Sequence, residues 1–506
     1  MDLKEQKKAE IGNELTKILE GIETYTLDNK RLDEVERGLF KSLLSLGLKL
    51  LSYYIYIVSL QVQKRGLPED SEGNKMKNTG KRKRPYRSVF GQLFIERPKY
   101  YSQKDKVHYA LDSELGLPSG KMSYLLSDWI SYSAVDLDFR ESVGLIENIL
   151  GQKLLGEQSS RCTYHLSSEV EDYYEQKDWS ALNDLEGSHF SVGFDGKGVP
   201  ILKSETDRAD ESIAVRLSRG QKKQVKKEAT VSVSSSFTPK TRSKEEIINN
   251  LFRIKTVAKS CIEVEKSEKN HCWHEHKHTR AFLSDKEKGI EYGIDNVLKR
   301  DKTAFGSKNR NKPIIVLIDG DRSLRKAVER IANKKLITDR ISAYILDFIH
   351  VLEYVWKAAN AYKGEKNPNR EKWVEQQADL LLSGHVDKLV TTLEASRDKG
   401  KNEAGKKFSA NQTYNINRAI TYFSNHSDMM KYDEYLKLGY PITTGAIESA
   451  CGHFVKSRME KNAMHWTKEG AQNMLNIRAI KKNGDWKDYS KSFIHNEQKK
   501  LYKSVA

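Results

Sequence analysis

The sequence predicts an α/β core in which three strands come first and two more then alternate with helices. Three observations lead there. His189 to Asp195, Val199 to Lys203 and Ala229 to Phe237 (ATVSVSSSF) read as strands, with Gly196-Lys197-Gly198 as a tight turn between the first two. Pro313 to Ile318 is a continuous apolar run, as expected of a strand buried on both faces, and Ile341 to Leu346 is another, ending at Asp347. Helical spacing fills Leu283 to Lys302 and Arg322 to Ala332. Strand, strand, strand, helix, strand, helix, strand is the order of an RNase H-like fold. The expected catalytic domain is thus a mixed sheet with flanking helices over residues 183–506. Its insertions lie near 238–282 and 363–440, the second one large and helical.

Three smaller modules are expected ahead of it. Residues 1–80 form a helical module and linker, with Ile11, Leu15, Ile18, Leu19 and Ile22 at helical spacing. Residues 81–112 form a small β module, since YRSVFGQLFIERPKYY alternates around Gly91. Residues 113–182 are helical. Within them Asp138 to Leu150, a turn at Gly151, and Glu157 to Tyr174 have the spacing of a helix-turn-helix. Ser159, Ser160, Arg161, Thr163 and Tyr164 sit on the second helix, where base-reading side chains belong. Two packed helices around a glycine turn are also common in proteins that bind no DNA.

Lys and Arg total 87 against 70 Asp and Glu, a net charge of +17. Such a surplus favours a polyanion, because neutralising phosphates releases counterions. The candidate phosphate contacts are Lys81, Arg82, Lys83 and Arg84; Arg219, Lys222 and Lys223; and Lys456, Arg458 and Lys461. Trp466 is a candidate stacking platform. Solvated charge and a core aromatic are the plain readings of the same residues. Four scattered cysteines without a CxxC pair indicate a reduced, cytosolic protein. Met1 to Thr26 is charged throughout, so no signal peptide is expected. The most apolar run, Leu50 to Leu60, is about eleven residues, short of a membrane span. Consecutive alternate ligands on one strand splay too far for tetrahedral zinc, so His271 to His278 reads as an exposed strand or loop that touches DNA. Gly116 to Lys121 (GLPSGK) is one residue short of a phosphate loop, so ATP use is not expected.

Three acids are candidates for chemistry. Asp195 is expected at the end of the first strand, Asp319 at the end of the central buried strand, and Glu448 early on a late helix. Ligands gather at the carboxyl ends of strands in an open α/β sheet. Converging hard oxygen ligands can hold two divalent cations against a phosphodiester. Each acid alone has a plainer reading: Asp-Gly as a turn, Asp321 and its neighbours as a helix cap, and Glu448 as a favourable charge at a helix start.

Ile314 to Asp321, Asp347-Phe348-Ile349-His350 and Gly439 to Ala479 together resemble bacterial insertion-sequence transposases of the DDE type. The nearest group is the Kra-type insertion sequences, with Mutator-like transposases as more distant relatives. The most specific stretch is GYPITTGAIESACGHFVKSRMEKNAMHWTKEGAQNMLNIRA, which includes Ser449, Arg458, Met464, Trp466, Gly470 and Arg478. VFGQLFIERPKYY is similar to the same family, and the likeness runs from about 85 to 490. The resemblance implies Asp195, Asp319 and Glu448 as ligands of two Mg²⁺ or Mn²⁺ ions. Asp347 and His350 match an Asp/Cys-x-x-His pair of the wider superfamily, in a supporting role. It further implies double-stranded DNA, as element ends and target, and a homodimer or larger synaptic complex. The reaction it implies frees a 3′-hydroxyl and joins it to target DNA, in a bacterial, nucleoid-associated protein with no membrane partner. Lys461-Asn462-Ala463-Met464 departs from the family, which has glycine before the methionine. A nuclease of this fold that cuts without joining, and a non-enzymatic DNA-binding derivative of such an element, are the alternatives.

Overall fold

The computed structural model describes residues 3–182, 185–205, 226–252, 274–302, 311–403, 405–443 and 445–502. They form two compact units, Met1–Glu175 with Gly484–Ala506, and Gln176–Asn483. The N-terminal modules read from the sequence fall in the first unit up to Glu175, and Gly484–Ala506, read as part of the 183–506 domain, belongs to that unit as well.

In that unit, α1 (Leu3–Leu27) and α2 (Leu32–Lys64) form a helical hairpin. A three-stranded antiparallel sheet follows, of β1 (Lys77–Ser88), β2 (Gly91–Ser102) and β3 (Lys106–His108). Val58 and Val62 of α2 pack on Ile95, Leu111 and Leu117, so only the far end of α2 is buried. Among the described residues α2 is the one helix long and apolar enough, by length and composition, to cross a membrane. The apolar run is therefore longer than the eleven residues read from the sequence. A second core joins Leu126, Ile130, Val143, Ile146 and Leu150, from helices Tyr124–Ala134 and Phe139–Leu150.

The expected helix-turn-helix is partly corrected. Its second helix stops at Ser167 and a separate one spans Val170–Gln176. Ser159 and Thr163 are fully buried, and the Ser159 and Ser142 hydroxyls lie 2.7 Å apart, so these two side chains hold the helices together and cannot read bases. Arg161 is exposed and paired with Glu157 at 2.5 Å.

The second unit is mixed α/β. Its five-stranded sheet contains β4 (His189–Pro200), β5 (Lys226–Phe237), β6 (Glu275–Leu283), β7 (Ile314–Ile318) and β8 (Ile341–Leu346), in the order β6-β5-β4-β7-β8. β4, β5 and β6 pair antiparallel, while β7 runs parallel to β4 and β8 parallel to β7. All five residues of β7 are buried, as its unbroken apolar sequence requires.

Two sequence expectations fail within this sheet. Gly196-Lys197-Gly198 is not a turn, because β5 is long enough to pair with all three, at Thr230, Ala229 and Glu228. Neither glycine takes the positive φ that a tight hairpin needs. Asp195 is therefore inside a strand and not at its end. The third strand of the meander is β6, from within the stretch read as an insertion. Of the histidines in and beside it, His276 is exposed, 3.1 Å from the Leu185 carbonyl, but the other two are turned inward. His278 is buried 2.7 Å from the Tyr292 hydroxyl, and His274 lies 2.8 Å from the Ser235 hydroxyl, where burial lowers its pKa to about 4. His271, Cys272 and Trp273 lie outside the described residues, as do Arg219, Lys222 and Lys223.

A buried ion pair joins the approach to β4 with the helix Lys286–Lys302. Arg300 Nε and Nη2 donate to Glu186 at 2.6 and 2.7 Å, and both side chains are shielded from solvent. Removing one partner strands a buried charge, so Glu186→Ala is expected to cost about 3–5 kcal/mol in urea unfolding of the second unit. The double change Glu186→Leu/Arg300→Met should cost much less, since no charge is left behind.

Candidate functional site

The parallel ladders line up the acids. The last pair between β4 and β7 is Gly193 with Leu317, and the last between β7 and β8 is Ile318 with Leu346. Continuing each register by a step or two sets Asp195 beside Asp319 and Asp319 beside Asp347, on neighbouring strands about 4.8 Å apart. Three carboxylates thus lie side by side where the parallel ladders end, Asp319 and Asp347 just beyond β7 and β8 and Asp195 within β4. Asp319 and Asp347 each open a turn into a helix. The Asp321 amide donates to Asp319 Oδ1 (3.0 Å), and Asp321 in turn caps the helix Arg322–Lys334. Asp347 is fully buried and caps Phe348–Tyr362 through the Ile349 amide at 2.7 Å.

The fourth acid arrives on a helix. Glu448 belongs to Gly445–Ala450, which continues as a π-helical turn, Cys451–Lys456, and then Ser457–Met459. Gly193 allows its approach to β4. A Cβ on Gly193 would lie 1.6 Å from Ile447 Cδ1, so any side chain there would push the helix off the strand. Residues 193 and 195 share a strand face, while 447 and 451 share a helix face one turn apart. Accordingly Cys451 meets Asp195, its thiol donating to Oδ2 at 3.0 Å, and Glu448 projects beside them. Burial raises the Cys451 pKa, so the group remains a donor.

Among the described residues, Asp347, His350 and Glu448 are the three metal-ligating side chains whose donor atoms all lie within 4.8 Å of one another. His350 Nδ1 is 3.3 Å from Asp347 Oδ2 and 3.4 Å from Glu448 Oε1. The hydrogen bond to Asp347, aided by its charge and those of Glu353 and Asp319, raises the His350 pKa to about 9. His350 is thus a cation at neutral pH and the counter-ion of the cluster. Burial raises the pKa of Asp319, and the charge of Asp195 adds to it. Burial also raises that of Glu448, with Asp347 and Asp195 adding repulsion. Asp319 and Glu448 thus each feel the charge of Asp195. Hard oxygens of this kind, two of them disfavoured as anions by burial and neighbouring charge, are chemically suited to a divalent cation.

Several candidate phosphate contacts prove to be braces. Arg458 is fully buried, bonded to Met464 Sδ (3.0 Å) and stacked on Trp466, 4.9 Å from the ring centre. Trp466 is 2% exposed and donates Nε1 to the Met459 carbonyl, so it offers no face for a base. Its backbone pairs with β4's end through Pro200 and Leu202. Arg478 donates to the His453 and Phe454 carbonyls, which the widened π turn leaves in need of donors. Arg84 is held by Asp112 and the Gly120 carbonyl in the first unit. Arg84 and Arg458 depart from the reading as phosphate contacts, because a guanidinium that braces a loop and one that meets phosphate look alike in sequence, while Trp466 is the core aromatic of its plainer reading. Lys81, Arg82 and Lys83 lie exposed on β1, with Lys81 near Glu96, and Lys456 is exposed. Lys461 is half-buried.

A groove of about 630 Å³ beside Asp319 was not foreseen. Gly320, Arg322, Tyr354, Asn417, Arg418 and Tyr422 help to line it. Tyr354 and Tyr422 stack at 3.8 Å, and the Tyr422 hydroxyl donates to the Asp319 carbonyl at 3.3 Å. Tyr354 is one helical turn beyond His350, which is the one signal the sequence held. The helix Ala410–His426 belongs to the insertion expected to be helical, but no part of it was expected beside Asp319.

No known family model matches the chain, and no curated protein matches it either.

Two outcomes follow from these contacts. The His350 imidazole is expected to titrate near pH 9 by NMR, and Asp347→Asn should bring it back toward 6.5. Because the folded pKa exceeds the unfolded one, His350 stabilises the fold fully below about pH 6.5 and loses that effect as pH rises through about 9. Separately, Asn462 and Ala463 take φ of 50° and 54°. A Cβ is unfavourable there, so Ala463→Gly should raise stability by about 1 kcal/mol in thermal unfolding.

Proposed function

We propose that this chain is a DNA transposase of the DDE type, with an RNase H-like core, that cuts element ends and joins the 3′-hydroxyls to target DNA. The reading is supported by the β4–β7 register, which when continued sets Asp195 beside Asp319, and by the Cys451–Asp195 hydrogen bond, which brings the helix of Glu448 to the same strand. The order β6-β5-β4-β7-β8 supports the fold, and the charge of +17 supports a nucleic-acid partner. Asp195, Asp319 and Glu448 are the residues that would hold two Mg²⁺ or Mn²⁺ ions. When bound, the cations would neutralise a phosphate and acidify an attacking water or hydroxyl.

The surrounding residues have separable tasks. Asp347 fixes the ring of His350, whose positive charge steadies Glu448. Cys451 orients Asp195 with its thiol proton. Tyr422 pins the carbonyl of Asp319 at the Gly320 turn. Arg322 and Arg418 in the adjoining groove supply charge for a DNA backbone, and Tyr354 supplies an aromatic wall.

The test uses the full chain with Mg²⁺, pre-cut DNA ends carrying the sequences that flank the gene, and a target plasmid. Joined product is expected, and Asp195→Asn, Asp319→Asn and Glu448→Gln should each lower it by at least about 100-fold. Cleavage without any joined product would favour the nuclease alternative, and unchanged activity of Asp319→Asn would refute the site. Mg²⁺ should also lower the His350 titration midpoint, a readout independent of activity. Arg418→Ala should weaken DNA binding and reduce the salt slope by about 1.

A further inference from the structure

The C-terminal helix Trp486–Leu501 carries an acid where its pattern asks for an apolar residue. Its buried positions are Trp486, Tyr489, Phe493 and Glu497, spaced by three, four and four along one face. Glu497 is 6% exposed, so a carboxylate lies among the residues that dock this helix in the first unit. Its Oε1 accepts from the Ser119 hydroxyl at 2.7 Å and stands 2.9 Å from His165 Nε2. Its Oε2 has no partner of hydrogen-bonding geometry, and neither has the Tyr124 hydroxyl close by. Burial opposes the charge, yet His165, Ser119 and Tyr124 outweigh it and bring the pKa down to about 2.

This carboxylate lines a cavity of about 600 Å³, walled by Met122, Tyr124, Leu166, Phe493 and Ile494. The volume and the mainly apolar wall are those of a small-molecule site. A second acid, Asp128, lines it from the helix Tyr124–Ala134. Oδ1 of Asp128 accepts from Trp486 Nε1 at 2.9 Å and from the Ser490 hydroxyl at 2.8 Å, while Oδ2 accepts nothing among the described residues. Burial raises the pKa of Asp128 against those two donors. The lining cations do not answer it. His165 is engaged with Glu497, Arg161 with Glu157, and Lys121 is exposed to water. Asp128 is thus a half-buried acid with no cation beside it among the described residues.

We infer that the cavity binds a small molecule with an apolar body and one protonated amine, the amine set against Asp128. The chemistry selects this class. A carboxylate only accepts hydrogen bonds, so a ligand must bring donors to Oδ2 of Asp128. An ammonium brings three donors and the charge that Asp128 lacks, whereas a hydroxyl brings one donor and no charge. An anion would meet two acids. The apolar body is buried against Met122, Leu166, Ile494 and the Phe493 ring. The site lies wholly within the first unit, whereas Asp195, Asp319 and Glu448 belong to the second, so the inference does not depend on the proposed function.

Three probes of nearly one shape test it on the full chain: phenethylamine, phenethyl alcohol and hydrocinnamate. Binding is read by NMR from the methyl resonances of Met122 and Ile494. The amine should shift both and bind at least about 10-fold more tightly than the alcohol, while the carboxylate shifts neither. Asp128→Asn can keep the Trp486 and Ser490 bonds, and should weaken the amine at least about 10-fold with unchanged circular dichroism. An amine that leaves both methyls unmoved, or binds no better than the alcohol, would overturn the inference without recourse to any variant. So would a carboxylate that binds best, or a folded Asp128→Asn protein that holds the amine as tightly as the wild type.

Discussion

The close contact between Ile447 and Gly193 is the constraint on which the site depends. A strand offers a helix a flat landing only where it lacks a side chain, and β4 lacks one two residues before Asp195. With that space filled by Ile447, the helix has one register available, and Cys451 and Glu448 fall beside Asp195. The π turn, the Arg478 bonds to its carbonyls and the Arg458–Trp466 stack hold the rest of that segment against the end of β4. Residues spread over a long stretch of sequence thus serve one placement.

Electrostatics gives the site its second constraint. Burial disfavours the charge of two of the acids, Asp319 and Glu448, other carboxylates stand near them, and one imidazolium lies among them. His350 balances that excess only in part. An arrangement of this kind stores unfavourable charge that a bound cation relieves, which is the physical link between the acids and the proposed chemistry. Asp347, read from the sequence as a supporting residue, is as central to the cluster as Glu448, because its turn starts where β8 ends.

Much of the sheet was legible because burial on both faces leaves a plain record. β7 and β8 are continuous apolar runs with an acid at the end, and their bounds differ little from the expected ones. β4 was misread as a hairpin because Asp-Gly-Lys-Gly is turn-like locally, whereas the long partner β5 overrides that preference. The place of β6 in the sheet was missed, and only its start was read as an exposed strand or loop, because its strand composition is interrupted by charge and histidine. Those groups are accommodated by side-chain partners such as Tyr292 and Ser235, which no local pattern reveals. The basic residues divided in the same way. Lys81 to Lys83 are exposed, while Arg84 and Arg458 are spent on internal bonds.

The sequence by itself determined which residues carry charge and hydrogen-bonding capacity, where the buried parallel strands lie, and that Asp319 and Asp347 follow them, since these are consequences of local composition and periodicity. Only the tertiary structure decided that Gly193 receives Ile447, that His350 bridges Asp347 and Glu448, and that a tyrosine-walled groove adjoins Asp319. Those contacts join elements distant in the chain. Their geometry depends on strand order and helix register, which no short stretch of sequence encodes.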